Sequence, residues 1–471
     1  MGMKSPPNIV FIVIDSARWD HFSVYHYEKA TTPFLESIAD QFLIYENANA
    51  PAAWTRPAIS SIFTSLYPQQ YGFFEGKFPE ETVLLTEILR ASGYKVYVLS
   101  NNPYMSPASG FARGTDRFYF VQPRRLPHQL HPMVLVRFLP KLVRQCLDRS
   151  ATYKVLPQMI NAQAIRIIRH LARSGSPFFI YMHHDAHHPY LSERKVLRRF
   201  LNGASEEDIR LVDSVQKSGN MYWFNRESLS REKRQCYYRI LRAMHDASIY
   251  RNDVLISQTM RELRRLGIYD KTMIIITADH GEFLGERDMI SHGLYLYEES
   301  VHVPLMIKYP RDVGLVGRTQ RLVSTIDLMP TILSLLGKEV YDYVPQAQGR
   351  SLLEDCEHEF VISQRSNFSE GIDFWRRRYP DHSFEKYDMG NLICFKSRKK
   401  KFVWSSKGKH ALFDLEVDPS ETQNIYDHSK HADYLERAET WIRTVPKVSG
   451  IIPEQFDEAI RRHLRGLGYI E

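Results

Sequence analysis

Three groups able to hold a cation fall at the ends of apolar runs. Asp15 closes IVFIVID (9–15), and Asp279 and His280 follow the strand-like start of TMIIITADHGE (272–282). Carboxylates neutralise a divalent cation, and a neutral imidazole favours zinc, manganese or iron over calcium, so the set predicts a metal site. More imidazoles cluster in HHDAHHPY, as His183, His184, His187 and His188, and another is His292 in ISHG. A single histidine is commonly structural. An Asp–His pair, a second strand-end aspartate and a histidine-rich strand end together point to a functional centre. The stretch NAPAAWTRPAISSIFTSLYPQQYG (49–72) adds a hydroxyl, Thr55, at the mouth of a helix where free N–H groups favour anions. Taken alone, Thr55 reads as an N-terminal cap. The alternative is a nucleophile held where a phosphate or sulfate would sit.

These residues need elements to bring them together. KVYVLSNN (95–102) and PFFIYMHHD (177–185) repeat the design of 9–15 and 272–282, each an apolar strand ending in polar residues. Helical patterns such as TPFLESIADQF (32–42) and the 157–173 segment lie between them. The alternation predicts a doubly wound α/β sheet with helices on both faces over residues 1–385. Ligands in such folds gather at strand carboxyl ends, so all four polar termini should converge. Residues 386–471 change pattern. Short antiparallel strands over 390–416, a helix at 433–443 and another near 453–466 predict a small α+β subdomain, with SRKKK (397–401) as a solvated, charged hairpin.

Composition sets outer bounds. At 471 residues the chain exceeds what one core usually supports, and 43% apolar with 25% charged residues is ordinary for a globular protein. A net charge of +7 suits anionic substrates but is spread too thinly to imply nucleic acid. Cys146, Cys236, Cys356 and Cys394 are far apart without a CxxC pair, which fits a reduced compartment and gives no zinc-thiolate site. The opening residues carry neither an export core nor a myristoylation pattern, no run is long enough to span a membrane, and a cytoplasmic protein is expected. The basic, apolar segment 123–149 reads as a helical insertion packed on its own domain, the alternative being peripheral membrane contact.

The ordered phrases PNIVFIVIDSARWDHFSVYHY, ATTPFLESIA, TADHGEFLGE, LYEESVHVPLMIK, TIDLMPTILSLLG, GRSLL, ALFDLEVDPSETQN and LRGLGYIE resemble the sulfatase family of the alkaline phosphatase superfamily over nearly the whole chain. The resemblance implies an alkaline phosphatase-like α/β/α sandwich with a small C-terminal subdomain. It also aligns Thr55 with the cysteine or serine that sulfatases oxidise to formylglycine. Threonine is a secondary alcohol and cannot become that aldehyde, so the hydrated-aldehyde mechanism is closed to this chain. Ser16 stands where calcium-dependent members carry a second aspartate, and His280 where they often carry asparagine, which moves the implied ion from calcium toward zinc or manganese.

The implied chemistry is therefore in-line attack by Thr55 on a phosphate (first a phosphodiester) or sulfate ester, through a covalent Thr55 intermediate. Asp15, Asp279 and His280, with Thr55, hold the metal. By family position, His187 and His292 either hold a second cation or contact the transferred group and protonate the leaving oxygen. Arg18, Arg56 and Asn102 are candidate anion contacts, a salt bridge being the alternative for Arg18. A hydrolase is the leading reading. A head-group transferase to a sugar or lipid and a catalytically silent binding protein on the same fold are the alternatives.

Overall fold

The computed structural model describes residues 6–72, 78, 81–121, 156–184, 194–201, 203–210, 230–355, 357–366, 385 and 387–448. His187, the 123–149 segment and the helix expected near 453–466 lie outside these residues. Among the described residues no helix is long and apolar enough to cross a membrane.

The strands in chain order are β1 (Asn8–Ile14), β2 (Leu43–Asn49), β3 (Lys95–Ser100), β4 (Arg117–Phe120), β5 (Phe178–His184) and β6 (Thr272–Thr277). Of these β1, β5 and β6 are buried nearly throughout because both of their faces are covered. A small hairpin, β7 (Phe283–Leu284) with β8 (Ile290–Ser291), precedes β9 (His302–Lys308) and β10 (Gly317–Ser324). Eight of these form one sheet in the order β10-β2-β9-β6-β1-β5-β3-β4, and every pairing is parallel except the two made by β9. The strands that end in Asp279, Asp15, His183 and Asn102 are thus four consecutive neighbours, β6-β1-β5-β3, running the same way. Their carboxyl ends meet, as the sequence predicts.

Strand β5 shows why this is a three-layer structure. Successive side chains of a strand point to opposite faces. Tyr181 meets Phe63 of the Thr55–Thr64 helix, with ring centroids 5.3 Å from Phe11 and 5.2 Å from Phe63. His184, three residues on, bonds Asn252 of the long Arg231–Arg265 helix at 3.0 Å. One face is therefore closed by the helix that carries Thr55 and the other by the long helix.

A second sheet, wholly antiparallel, is built from β11 (Val361–Arg365), β12 (Leu392–Lys396), β13 (Lys400–Ser405) and β14 (Ala411–Asp414) in that order. The His428–Thr444 helix packs on it through Tyr434 against Phe402 and Trp441 against Phe395. Strand β11 enters from before the expected junction at 385, and its Gln364 N–H donates to Pro51 O at 2.8 Å. The hairpin expected to be solvated is not so throughout: Lys401 is fully buried between two glutamates, which compensate its charge.

Candidate active site

Asp15, Asp279 and His280 each offer one ligand atom within 4.8 Å of the others, and all three are buried. The imidazole is oriented by its far side. His280 Nδ1 lies 2.8 Å from Gly281 O, which can only accept, so Nδ1 carries the hydrogen and, in the neutral ring, Nε2 has the lone pair. That lone pair is 3.5 Å from Asp279 Oδ2 and 3.7 Å from Asp15 Oδ1. Asp279 Oδ1 accepts from the Ser16 and His280 amides, each at 3.0 Å, while buried Oδ2 has no hydrogen-bond partner among the described residues. Burial, and then the neighbouring Asp15 carboxylate, push the Asp279 carboxyl above its ordinary range. Two buried carboxylates and an imidazole presenting a lone pair to the same point fit a divalent cation.

Thr55 is the first residue of its helix, and Trp54, not Thr55, is the N-cap. The cap reading therefore fails: the hydroxyl turns away from its own helix to lie 3.3 Å from His280 Nε2 and 3.4 Å from Asn102 Nδ2. Asn102 also donates to Asp15 Oδ2 at 2.6 Å, so one amide bridges the first carboxylate and the hydroxyl. The same Asp15 oxygen is 3.0 Å from His183 Nε2, whose other nitrogen lies 3.0 Å from the Tyr181 hydroxyl.

His292 sits beside this set, its ring 4.4 Å from that of His280. Its Nδ1 lies 2.9 Å from Glu282 Oε2. Burial disfavours the charged ring, but Glu282 together with Asp15 and Asp279 outweighs it and raises the imidazole above its ordinary value. Arg56 is buried in the first turn of the Thr55 helix, within electrostatic reach of Tyr104 and Tyr71. Arg18 is engaged in ion pairs: its buried guanidinium meets Asp20 at 2.6 and 2.9 Å and Glu286 at 2.8 Å, both acids being partly exposed. His184 is also structural, on the opposite face of the sheet from His183.

Sequence reasoning missed Glu282 and the parts played by Ser16 and His183. Glu282 was legible in principle, as the acid two residues beyond His280 in DHGE. Ser16 takes a left-handed φ of +57° at the end of β1, which aims its amide at Asp279 and its hydroxyl at His280 Nδ1, 3.2 Å away. Nothing in its residue type announces that turn.

A family model described as Sulfatase matches residues 7–338, and one described as N-sulphoglucosamine sulphohydrolase, C-terminal, matches residues 290–445. The chain is 21% identical over 426 residues to an ulvan-active sulfatase of Formosa agariphila, covering 89% of this chain and 77% of that one. It is 31% identical over 212 residues to the multifunctional alkaline phosphatase superfamily protein PehA of Trinickia caryophylli, covering 43% and 40%. A crystal structure of the phosphonate monoester hydrolase of Agrobacterium radiobacter superposes with a TM-score of 0.67 at 20% identity, covering 93% of this chain and 95% of that one, and shares its fold.

Proposed function

The chain belongs to the sulfatase family, whose members are hydrolases, and on that premise we propose that it cleaves a phosphodiester or related ester with Thr55 as nucleophile. The observation that carries the reading is the Thr55 hydroxyl, 3.3 Å from the His280 lone pair and turned away from any capping role. A threonine cannot become formylglycine, so this member attacks with an alcohol. A relative named for phosphonate monoesters supports phosphorus as the centre attacked, because such an ester and a phosphodiester each carry one negative charge and one leaving alkoxide.

Asp15, Asp279, His280 and Thr55 Oγ1 would hold the cation, which we assign as zinc or manganese because one donor is imidazole nitrogen and Ser16 replaces a carboxylate. When bound, such an ion supplies Lewis acidity that lowers the pKa of the hydroxyl and offsets charge on the transferred group. Thr55, its proton released to solvent, attacks phosphorus in line through Oγ1, and the ester oxygen leaves with its bonding pair and takes a proton from His292. Water then attacks the Thr55 ester, giving one proton to His292, and Thr55 Oγ1 leaves with its bonding pair, ready for the next attack. Glu282 holds His292 in place, and Asn102 keeps Thr55 Oγ1 and Asp15 in register. The positive end of the Thr55–Thr64 helix faces the growing negative charge.

The test is a panel of bis(4-nitrophenyl) phosphate, 4-nitrophenyl phosphate and 4-nitrophenyl sulfate with zinc or manganese added, run on the wild type, Thr55→Ala and Thr55→Ser. The diester should be turned over fastest. Thr55→Ala should lose kcat by several orders of magnitude while remaining folded, and Thr55→Ser should keep much of it. Near-normal turnover by Thr55→Ala would transfer the attack to water. Transfer to added alcohols would favour the transferase reading, and inactivity on every ester the silent one.

A further inference from the structure

We propose that Lys401 and Glu421, on the antiparallel sheet and the loop beyond it, are positioning residues that act on the reaction through Glu298. The inference rests on the reading above only in placing the chemistry at His280, Glu282 and His292.

The loop that carries these groups is laid on the backbone of Glu298–Val301. Gly281 N–H donates to Ser300 O and Glu282 N–H to Glu299 O, both at 2.8 Å. The approach is so close that a Cβ on Gly281 would lie 2.1 Å from Glu299 O. The orientation of His280 depends on Gly281 O and that of His292 on Glu282, so the backbone of 298–301 is the bed on which both imidazoles are set.

That bed is gripped from the second sheet. Glu421 Oε2 accepts the Glu298 amide at 2.7 Å, and Glu421 Oε1 lies 2.8 Å from Lys401 Nζ. Lys401 Nζ also reaches Glu298 Oε1 at 3.0 Å, while Lys396 Nζ meets Glu298 Oε2 at 2.6 Å. Lys396 extends further, to Asn49 Oδ1 at 3.0 Å, on the strand that leads into Thr55. Arg287 closes the same contact from the loop's side, pairing with Glu299 and donating to Ser420 O. The four central charges balance, two lysines against two glutamates, and the side chains of Lys401 and Glu421 are wholly buried.

Apolar residues of similar volume would join two sheets at less desolvation cost. What ion pairs add is direction: each bond here fixes one backbone segment against another, and in-line attack is sensitive to misplacement of about 1 Å. The SRKKK run thus supplies, in Lys401, part of the frame of the active site, while its tip at Arg398 and Lys399 stays exposed.

The double variant Lys401→Met/Glu421→Gln removes one charge of each sign, and Glu421→Gln alone serves if the double variant does not fold. Hydrogen exchange on the full chain should show the Gly281 and Glu282 amides exchanging about tenfold faster or more, with Ile9–Ile14 unchanged. With manganese and bis(4-nitrophenyl) phosphate, kcat should fall roughly tenfold to a hundredfold while KM stays within about twofold. Wild-type exchange at Gly281 and Glu282, or loosening only in step with Ile9–Ile14, overturns the inference. So does a loosened variant with wild-type kcat. A wild type that hydrolyses no ester defeats the functional reading instead, and the exchange measurement still decides whether the sheet holds the loop.

Discussion

Asn102 and Thr55 belong to different elements, the end of β3 and the start of a helix, yet one amide hydrogen-bonds both the hydroxyl and Asp15. Removing it leaves every metal-ligating group present but frees the hydroxyl to rotate. Asn102→Ala should therefore lower kcat/KM by about 10- to 100-fold, the usual cost of losing an orienting partner, and far less than Thr55→Ala. In the Asn102→Ala/Thr55→Ala double variant the two losses should not add, because the amide acts through a hydroxyl that is gone. Steady-state kinetics on the diester checks both statements, and an Asn102→Ala within twofold of wild type would remove Asn102 from the machinery. Asp15, Asp279 and His280 were legible because polar groups at strand ends stand out from apolar runs. Thr55 was legible only through the family resemblance, since a threonine at a helix start looks the same whether it bonds its own helix or a histidine 225 residues away.

Elements decide what identical residue types do. His183 and His184 are adjacent on β5, and the two-residue period of a strand sends one to Asp15 and the other to Asn252 on the opposite face. Burial there drives the His184 imidazole down to about 3, with Asn252 opposing only in part. The unfolded chain takes up this proton near the ordinary value of 6.5 and the folded one only near 3, so between these limits the unfolded state binds more protons. Stability from this group is complete above about pH 6.5 and is lost as pH falls toward 3, with a slope of up to about 1.4 kcal/mol per pH unit. Urea midpoints measured from pH 7 to 4 should fall for the wild type and fall less steeply for His184→Gln. Equal slopes would show that the ring is not buried neutral. The HHDAHHPY motif shows that histidines gather here; only the pleat separates the ring that meets Asp15 from the one that meets Asn252.

At the scale of the whole molecule, the candidate metal site joins β1 and β6 to the helix that carries Thr55, with β5 and β3 tied in through the bonds of His183 and Asn102 to Asp15. An ion bound there adds to the stability of the entire fold by mass action, about 2.7 kcal/mol at a hundredfold excess over Kd. Zinc or manganese should raise the thermal midpoint in a concentration-dependent way, and a chelator should reverse the rise. Asp279→Ala should abolish the dependence. A midpoint indifferent to metal in the wild type would argue that no ion binds at Asp15, Asp279 and His280.

By itself the sequence determined the layers and the convergence of chemistry. A parallel strand buried on both faces must be apolar along its length, so polar residues can enter only at its ends, and in a parallel sheet those ends lie together. Asp15, Asn102, His183 and Asp279 follow from that rule. Tertiary structure alone decided the rest, through which groups the folded chain brings within reach of one another. Arg18 was drawn into Asp20 and Glu286. His292 was given to Glu282 across a hairpin, and Lys401 was carried from an apparently solvated run into a buried pair of glutamates. Charge and hydrogen-bonding capacity are written in residue type, but which opposite charge satisfies them depends on distances that only the folded chain sets.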